Sequence, residues 1–240
     1  MSHDSETTSP VKNPPADSES FAASADPAPN EDSALALLQR ADLPPAVIEK
    51  LSKSSVTSKS RKVRMAMVRH PKAPRYVSLA LMRKLFTFDL MQVALTPAVA
   101  GDLKIAAEEA LINRLETISA GEKLSLARRA SGRVAGELLL DSEPRIIAAA
   151  LQNPRLTEAL VAKAVSGNEA SPALAQAVCT HVNWSLRREV RIALLRSGHT
   201  PLEHAIDFAK SLPNDVVKEI LQNSRLPETL KSCLTKSDRP

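Results

Sequence analysis

Glycine, aromatic residues and cysteine are scarce in this chain, and each shortage narrows what it can be. Six glycines and 2% aromatics in 240 residues supply too few turn glycines and cross-strand rings for a β-sandwich or barrel. The same glycines are scattered and form neither a dinucleotide-type glycine triplet nor a Gly-Lys-Ser phosphate cradle. Two cysteines, Cys179 and Cys233, are too few for a disulfide framework. No run of about 18 uncharged apolar residues is present to span a bilayer. The polar opening Met1-Ser-His-Asp4 lacks the basic-then-apolar order of a secretory signal. A cytoplasmic protein that makes no membrane contact is the expectation.

What the chain has in quantity is Ala, Leu, Val, Lys, Arg and Glu, the residues of helices. Apolar residues reach 43% and charged ones 25%, the balance of a globular protein. Charge is unevenly spread. Asp4, Glu6, Asp17, Glu19, Asp26, Glu31 and Asp32 face only Lys12 in residues 1–32, a net −6 that leaves +11 to the remainder of a +5 chain. A basic body with an acidic tail suits an acidic partner for which the tail competes, although solvation alone also explains such a balance. Pro10, Pro14, Pro15, Pro27 and Pro29 interrupt every helix in the tail, and its few apolar residues cannot offset the entropy of ordering it. Residues 1–32 are therefore expected to be disordered. A single helical domain is expected over 33–240.

From Ser33 the pattern is helical. Short helices around Leu35–Leu38 and from Pro45 onward form an N-terminal cap over 33–60, with 53–60 read as a connecting loop. An imperfect repeat follows over 61–234. Val63-Arg-Met-Ala-Met-Val-Arg-His70, Ile146-Ile-Ala-Ala-Ala-Leu-Gln-Asn153, Val190-Arg-Ile-Ala-Leu-Leu-Arg-Ser197 and Val216-Val-Lys-Glu-Ile-Leu-Gln-Asn223, with a weaker copy ending at Asn113, share one design. An apolar residue stands seven places before a polar stop, and two more stand three and two before it, which makes one helix stripe with an end signal. After each stop, Ala73-Pro74, Leu156-Thr157, Thr200-Pro201 and Leu226-Pro227 open a new helix. Thr157 and Thr200 are expected as caps, and the prolines at the first helical position. Between Asn153 and Ser197 three helices fit, over 157–166, 172–181 and 186–197, the last with Asn183 as a candidate cap. A division into two helical domains at Pro97–Gly101 is the alternative to one continuous stack.

The stops lie 43, 40, 44 and 26 residues apart, and the first three intervals match the period of helix-pair arrays. The region from about residue 60 to 234 resembles HEAT-like helical repeat proteins, and the phrase Val63…Ala66…His70-Pro71…Pro74 resembles leucine-rich-repeat-variant units. The resemblance implies an all-α fold, a right-handed superhelical solenoid of about a dozen short helices, as in bacterial proteins of this kind. It carries over no activity, cofactor or catalytic residue.

Residue by residue, the chemistry of enzymes is not recognisable. Cys179-Thr-His181, His199, His204 and Cys233 lack the paired spacing of a zinc site. No nucleophile elbow occurs. Glu108 and Glu109 lie on a helix whose stripe was read as Ile105, Leu111 and Ile112, which turns them to solvent. Gly132 and Gly136 suit close helix packing, Ser131 a helix cap, and Trp184 burial under a turn. No cofactor and no metal are expected. The remaining signal is basic: Arg61, Lys62 and Arg64, then Arg128, Arg129 and Arg133, then Arg187, Arg188 and Arg191. In a repeat stack equivalent positions adjoin, so these clusters can merge into a stripe. The first expectation is a non-enzymatic scaffold or adaptor that binds a protein partner. The alternative is a nucleic-acid or other polyanion binder, against which stands the lack of aromatics for base stacking.

Overall fold

The computed structural model describes residues 30–236, the side chains of Leu230, Cys233, Thr235 and Lys236 excepted. Most of the expected tail therefore lies outside the described residues. Its last part does not: Asn30 accepts a hydrogen bond from Ser33 N at 2.8 Å and caps α1 (Glu31–Leu38). Glu31 and Asp32 sit in the first turn of this helix, where acidic side chains favour the exposed amides.

Among the described residues every regular element is an α-helix. After α1 come α2 (Pro45–Ser52), α3 (Ser55–Lys59) and α4 (Arg61–Arg69). The stretch read as a loop over 53–60 thus contains a helix. Its hydroxyls make it possible: Ser54 Oγ and the buried Thr57 Oγ1 each donate to Leu51 O at 2.7 Å and satisfy the end of α2. The chain continues through α5 (Arg75–Met82), α6 (Thr87–Leu95), α7 (Gly101–Ile112), α8 (Ala120–Arg129), α9 (Gly132–Leu138) and α10 (Pro144–Leu151). It closes with α11 (Glu158–Ser166), α12 (Pro172–Thr180), α13 (Arg188–Arg196), α14 (Leu202–Lys210), α15 (Asn214–Gln222) and α16 (Glu228–Lys236).

The repeat stripes are the core. Val63, Met67 and Val68, then Ile146, Ala150 and Leu151, then Val190, Leu194 and Leu195 are all buried, at the positions the stops dictate. The weak central copy differs. Leu103, Ala107 and Leu111 form the buried stripe of α7, and Ile105 is 51% exposed. Helices this short are marginal alone, so packing on neighbours holds them. From α4 on, most helices pack on those two places further along: α4 on α6, α5 on α7, α7 on α9, α8 on α10, α9 on α11, α10 on α12, α11 on α13, α13 on α15, α14 on α16. α6 and α7 also pack on each other across Pro97–Gly101.

The polar stops join one unit to the next. Asn153 is 2% exposed; its Nδ2 donates to Ala127 O at 2.8 Å and Ala130 O at 3.1 Å, while its Oδ1 accepts from Arg155 N. His70 Nε2 lies 3.0 Å from Arg40 O, and its Nδ1 accepts from Lys72 N. Arg114 Nη1 donates to Leu85 O, Trp184 Nε1 to Leu151 O, and Arg225 N to Arg196 O. In each case a turn supplies a donor to the carbonyl end of a helix, or of the turn that follows it, 23–33 residues earlier, where backbone acceptors lack intrahelical partners.

Several caps depart from expectation. Thr157 does accept from Leu160 N. Thr200 instead donates its hydroxyl to Leu194 O, and Pro201 takes the cap position of α14. Pro74 likewise caps α5 and does not begin it. Ser131 stands at the cap of α9, yet its buried Oγ has no hydrogen-bond partner. Asn183 caps nothing: its backbone N–H donates to His181 Nδ1, and α13 begins only after Arg187.

Candidate interaction surface

The nine basic residues named from the sequence divide into two groups. Five are engaged within the molecule. Arg61 forks onto the 3%-exposed Asp89, with Nε–Oδ2 at 2.8 Å and Nη2–Oδ1 at 2.6 Å, and lies over the Phe86 ring. Lys62 stands 3.5 Å from Glu31. Arg64 is not a surface residue. It is buried in α4, donates Nη1 to Thr57 O and Ser58 O, and leaves its Nε without a partner. The apolar stripe of α4 carries it inward, because position 64 adjoins Val63 and Met67 on the same turn. Arg133 reaches Glu109 at 3.3 Å and Glu108 at 3.8 Å, so Glu108 is held half-buried by a cation and does not simply face solvent. Arg191 donates Nε to Ser185 O at 2.7 Å and covers the buried Phe208 ring.

The other four, Arg128, Arg129, Arg187 and Arg188, are exposed, and none belongs to an ion pair among the described residues. A chain of bonds brings them to one edge. Arg155 Nη1 donates to Arg129 O at 3.3 Å. Three residues on, Glu158 Oε1 accepts from Glu189 N at 3.1 Å, next to Arg188. Trp184 Nε1 donates to Leu151 O at 2.8 Å, which ties the α12–α13 turn to the end of α10. The ends of α8, α10 and α12 and the starts of α11 and α13 therefore meet. Arg155 is a member of this edge that the sequence reading missed. The phrase Asn153-Pro-Arg155-Leu-Thr-Glu158, echoed by Asn223-Ser-Arg225-Leu-Pro-Glu228, was the available signal.

The α12–α13 turn is firmly built. His181 Nδ1 accepts from Asn183 N at 3.2 Å and Trp184 N at 3.4 Å, Ser185 N donates to His181 O, and Arg187 N to Trp184 O. Burial pulls the His181 imidazole below its ordinary pKa of 6.5, which keeps Nδ1 available as an acceptor. Despite this rigidity the turn shows two aliphatic side chains to solvent, Val182 at 79% and Leu186 at 66%. Leu186 was expected inside a helix; the later start of α13 leaves it in the turn.

The Cys179-Thr-His181 segment has another use. Burial drives the Cys179 thiol up to about 12, and His181 is committed to the turn. Trp184 gives its indole N–H to a backbone carbonyl, while Asp207 is exposed on α14. A groove of about 600 Å³ runs beside α4 and α6, where Arg61 and Lys62 already face Asp89 and Glu31. Among the described residues no helix is long and apolar enough to cross a membrane. No family model, curated protein or solved structure matches this chain.

Proposed function

We propose that this chain is a non-enzymatic scaffold or adaptor, a HEAT-like solenoid that holds a protein partner in the cytoplasm. Second-neighbour packing from α4 to α16 supports the solenoid, since each helix pair buries a stripe that it cannot bury alone. The observation that carries the functional reading is the turn edge. Five exposed arginines without carboxylate partners stand beside two exposed aliphatic side chains on a rigid turn. Arginine is enriched in protein-binding patches, and exposed apolar side chains beside it supply non-polar area for a partner to cover.

A second reading, binding of nucleic acid or another polyanion, is favoured by the same unpaired arginines. It makes no use of Val182 and Leu186, and the one tryptophan at the edge is turned inward. The two separate in a pull-down of the tagged chain from its native lysate, with and without nuclease, read by mass spectrometry. Protein partners that survive nuclease and are lost on Arg129→Glu/Arg188→Glu agree with the scaffold. Partners that vanish with the nucleic acid transfer the edge to the second reading.

A further inference from the structure

The edge has a composition that selects among protein partners. Arg128, Arg129, Arg155, Arg187 and Arg188 are all exposed, and the carboxylates beside them are two, Glu158 and Glu189. Glu158 is already engaged, as its Oε1 accepts the Glu189 amide. Arg155 commits one nitrogen, Nη1, to Arg129 O; the other arginines keep their donors for an outside acceptor, and a guanidinium is suited to fork onto a carboxylate.

Charge alone would be met by any anion. The aliphatic pair is the discriminating feature. Val182 and Leu186 lie four residues apart in a turn held by five internal hydrogen bonds, those from Asn183 N, Trp184 N, Ser185 N, Arg187 N and Trp184 Nε1. Their exposure is therefore a fixed property of the surface and not looseness of a loop. Phosphodiester backbones gain nothing from aliphatic contacts, and bases stack on aromatic or guanidinium planes, which leaves Val182 and Leu186 unused. A peptide with both carboxylates and aliphatic side chains uses every group on the edge.

We infer that the edge formed by Arg128, Arg129, Arg155, Arg187 and Arg188, with Val182 and Leu186 alongside, binds a segment of a partner protein that carries acidic and aliphatic residues together. This rests on the scaffold reading. The contacts of the arginines supply orientation and association rate, and are weakened by salt. The aliphatic contacts supply the part of the affinity that salt does not remove.

The test is selection from a random displayed-peptide library against the full chain, followed by titration of the selected peptides. The expected winners combine Asp or Glu with Leu, Ile or Val. Arg129→Gln/Arg188→Gln is expected to weaken them about tenfold, as is Val182→Ser/Leu186→Ser, since each removes about 1.4 kcal/mol or more of exposed contact. Neither double variant should shift the melting temperature, because these side chains make no internal bonds. Four results overturn the inference. Winners without acidic residues, or winners that both variants bind as tightly as the wild type does, remove the edge and leave the scaffold reading standing. Absence of any selected peptide, with a labelled oligothymidylate or phosphatidylserine vesicles bound instead, removes both. Equal affinity for a plain oligoglutamate and for the selected peptides reduces the edge to a simple anion surface.

Discussion

Arg61 and Arg128 carry the same group and were read alike from the sequence, yet they belong to different problems. Arg61 neutralises a carboxylate that is 4% exposed, across 2.6 Å; Arg128 is exposed on α8 with no ion pair among the described residues. Arg61→Ala is expected to lower stability measurably, because Asp89 is then left inside with only the Phe86 amide as a donor. Arg128→Ala should stay within about 0.5 kcal/mol of the wild type, and urea denaturation of the two variants checks the contrast. Asn153→Ala should cost about 1–3 kcal/mol, since Ala127 O and Ala130 O lose one donor between them and are left inside. The sequence could identify Asn153 as a stop because the apolar stripe before it is periodic. It could not separate Arg61 from Arg128, because their fates depend on Asp89 and on folding across distant turns. The thiol of Cys179 offers a direct probe of burial. With its pKa raised to about 12 it should resist iodoacetamide at neutral pH in the folded chain and react on unfolding, as mapped by mass spectrometry.

At the scale of single elements, helix ends decide the architecture, and they were the most legible feature. The ends at His70, Asn113, Ser197 and Asn223 fall where the polar residue follows the stripe. Turns were less legible, since their donors come from the neighbouring unit. Gly132 and Gly121 illustrate the difference. A Cβ on Gly132 would overlap the carbonyl oxygen of Arg155, whereas one on Gly121 meets nothing within 4 Å. Gly132→Ala is expected to destabilise by about 1–3 kcal/mol through that overlap, and Gly121→Ala to stabilise by up to about 1 kcal/mol through helix propensity. Chemical denaturation should return opposite signs. The α12–α13 turn also sets a pH dependence. His181 is held neutral in the fold, so below its ordinary pKa of 6.5 the unfolded chain takes up the proton first. His181's contribution is therefore complete above that pH and is lost as pH falls through the lowered folded value. His181→Asn, which can still accept the two amides, should flatten this part of the stability profile.

Across the whole molecule, the all-helical fold of the described residues was legible in the sequence, while the candidate surface emerged only from bonds spanning residues 26 to 33 apart. Those bonds turn scattered arginines from α8, the α10–α11 turn and the α12–α13 turn into a single edge. The longer stripe suggested by charge counting does not reach α4, since Arg61 is taken up by Asp89 of α6 and Arg64 by the carbonyls of Thr57 and Ser58. We propose that this edge is where a partner is held. Hydrogen–deuterium exchange of the full chain, with and without a bound selected peptide, tests it most directly. The claim predicts slower exchange in residues 128–133, 153–158 and 181–189, with the groove beside α4 and α6 unchanged. Protection confined to that groove, or spread evenly over the helices with none at the turns, would contradict it.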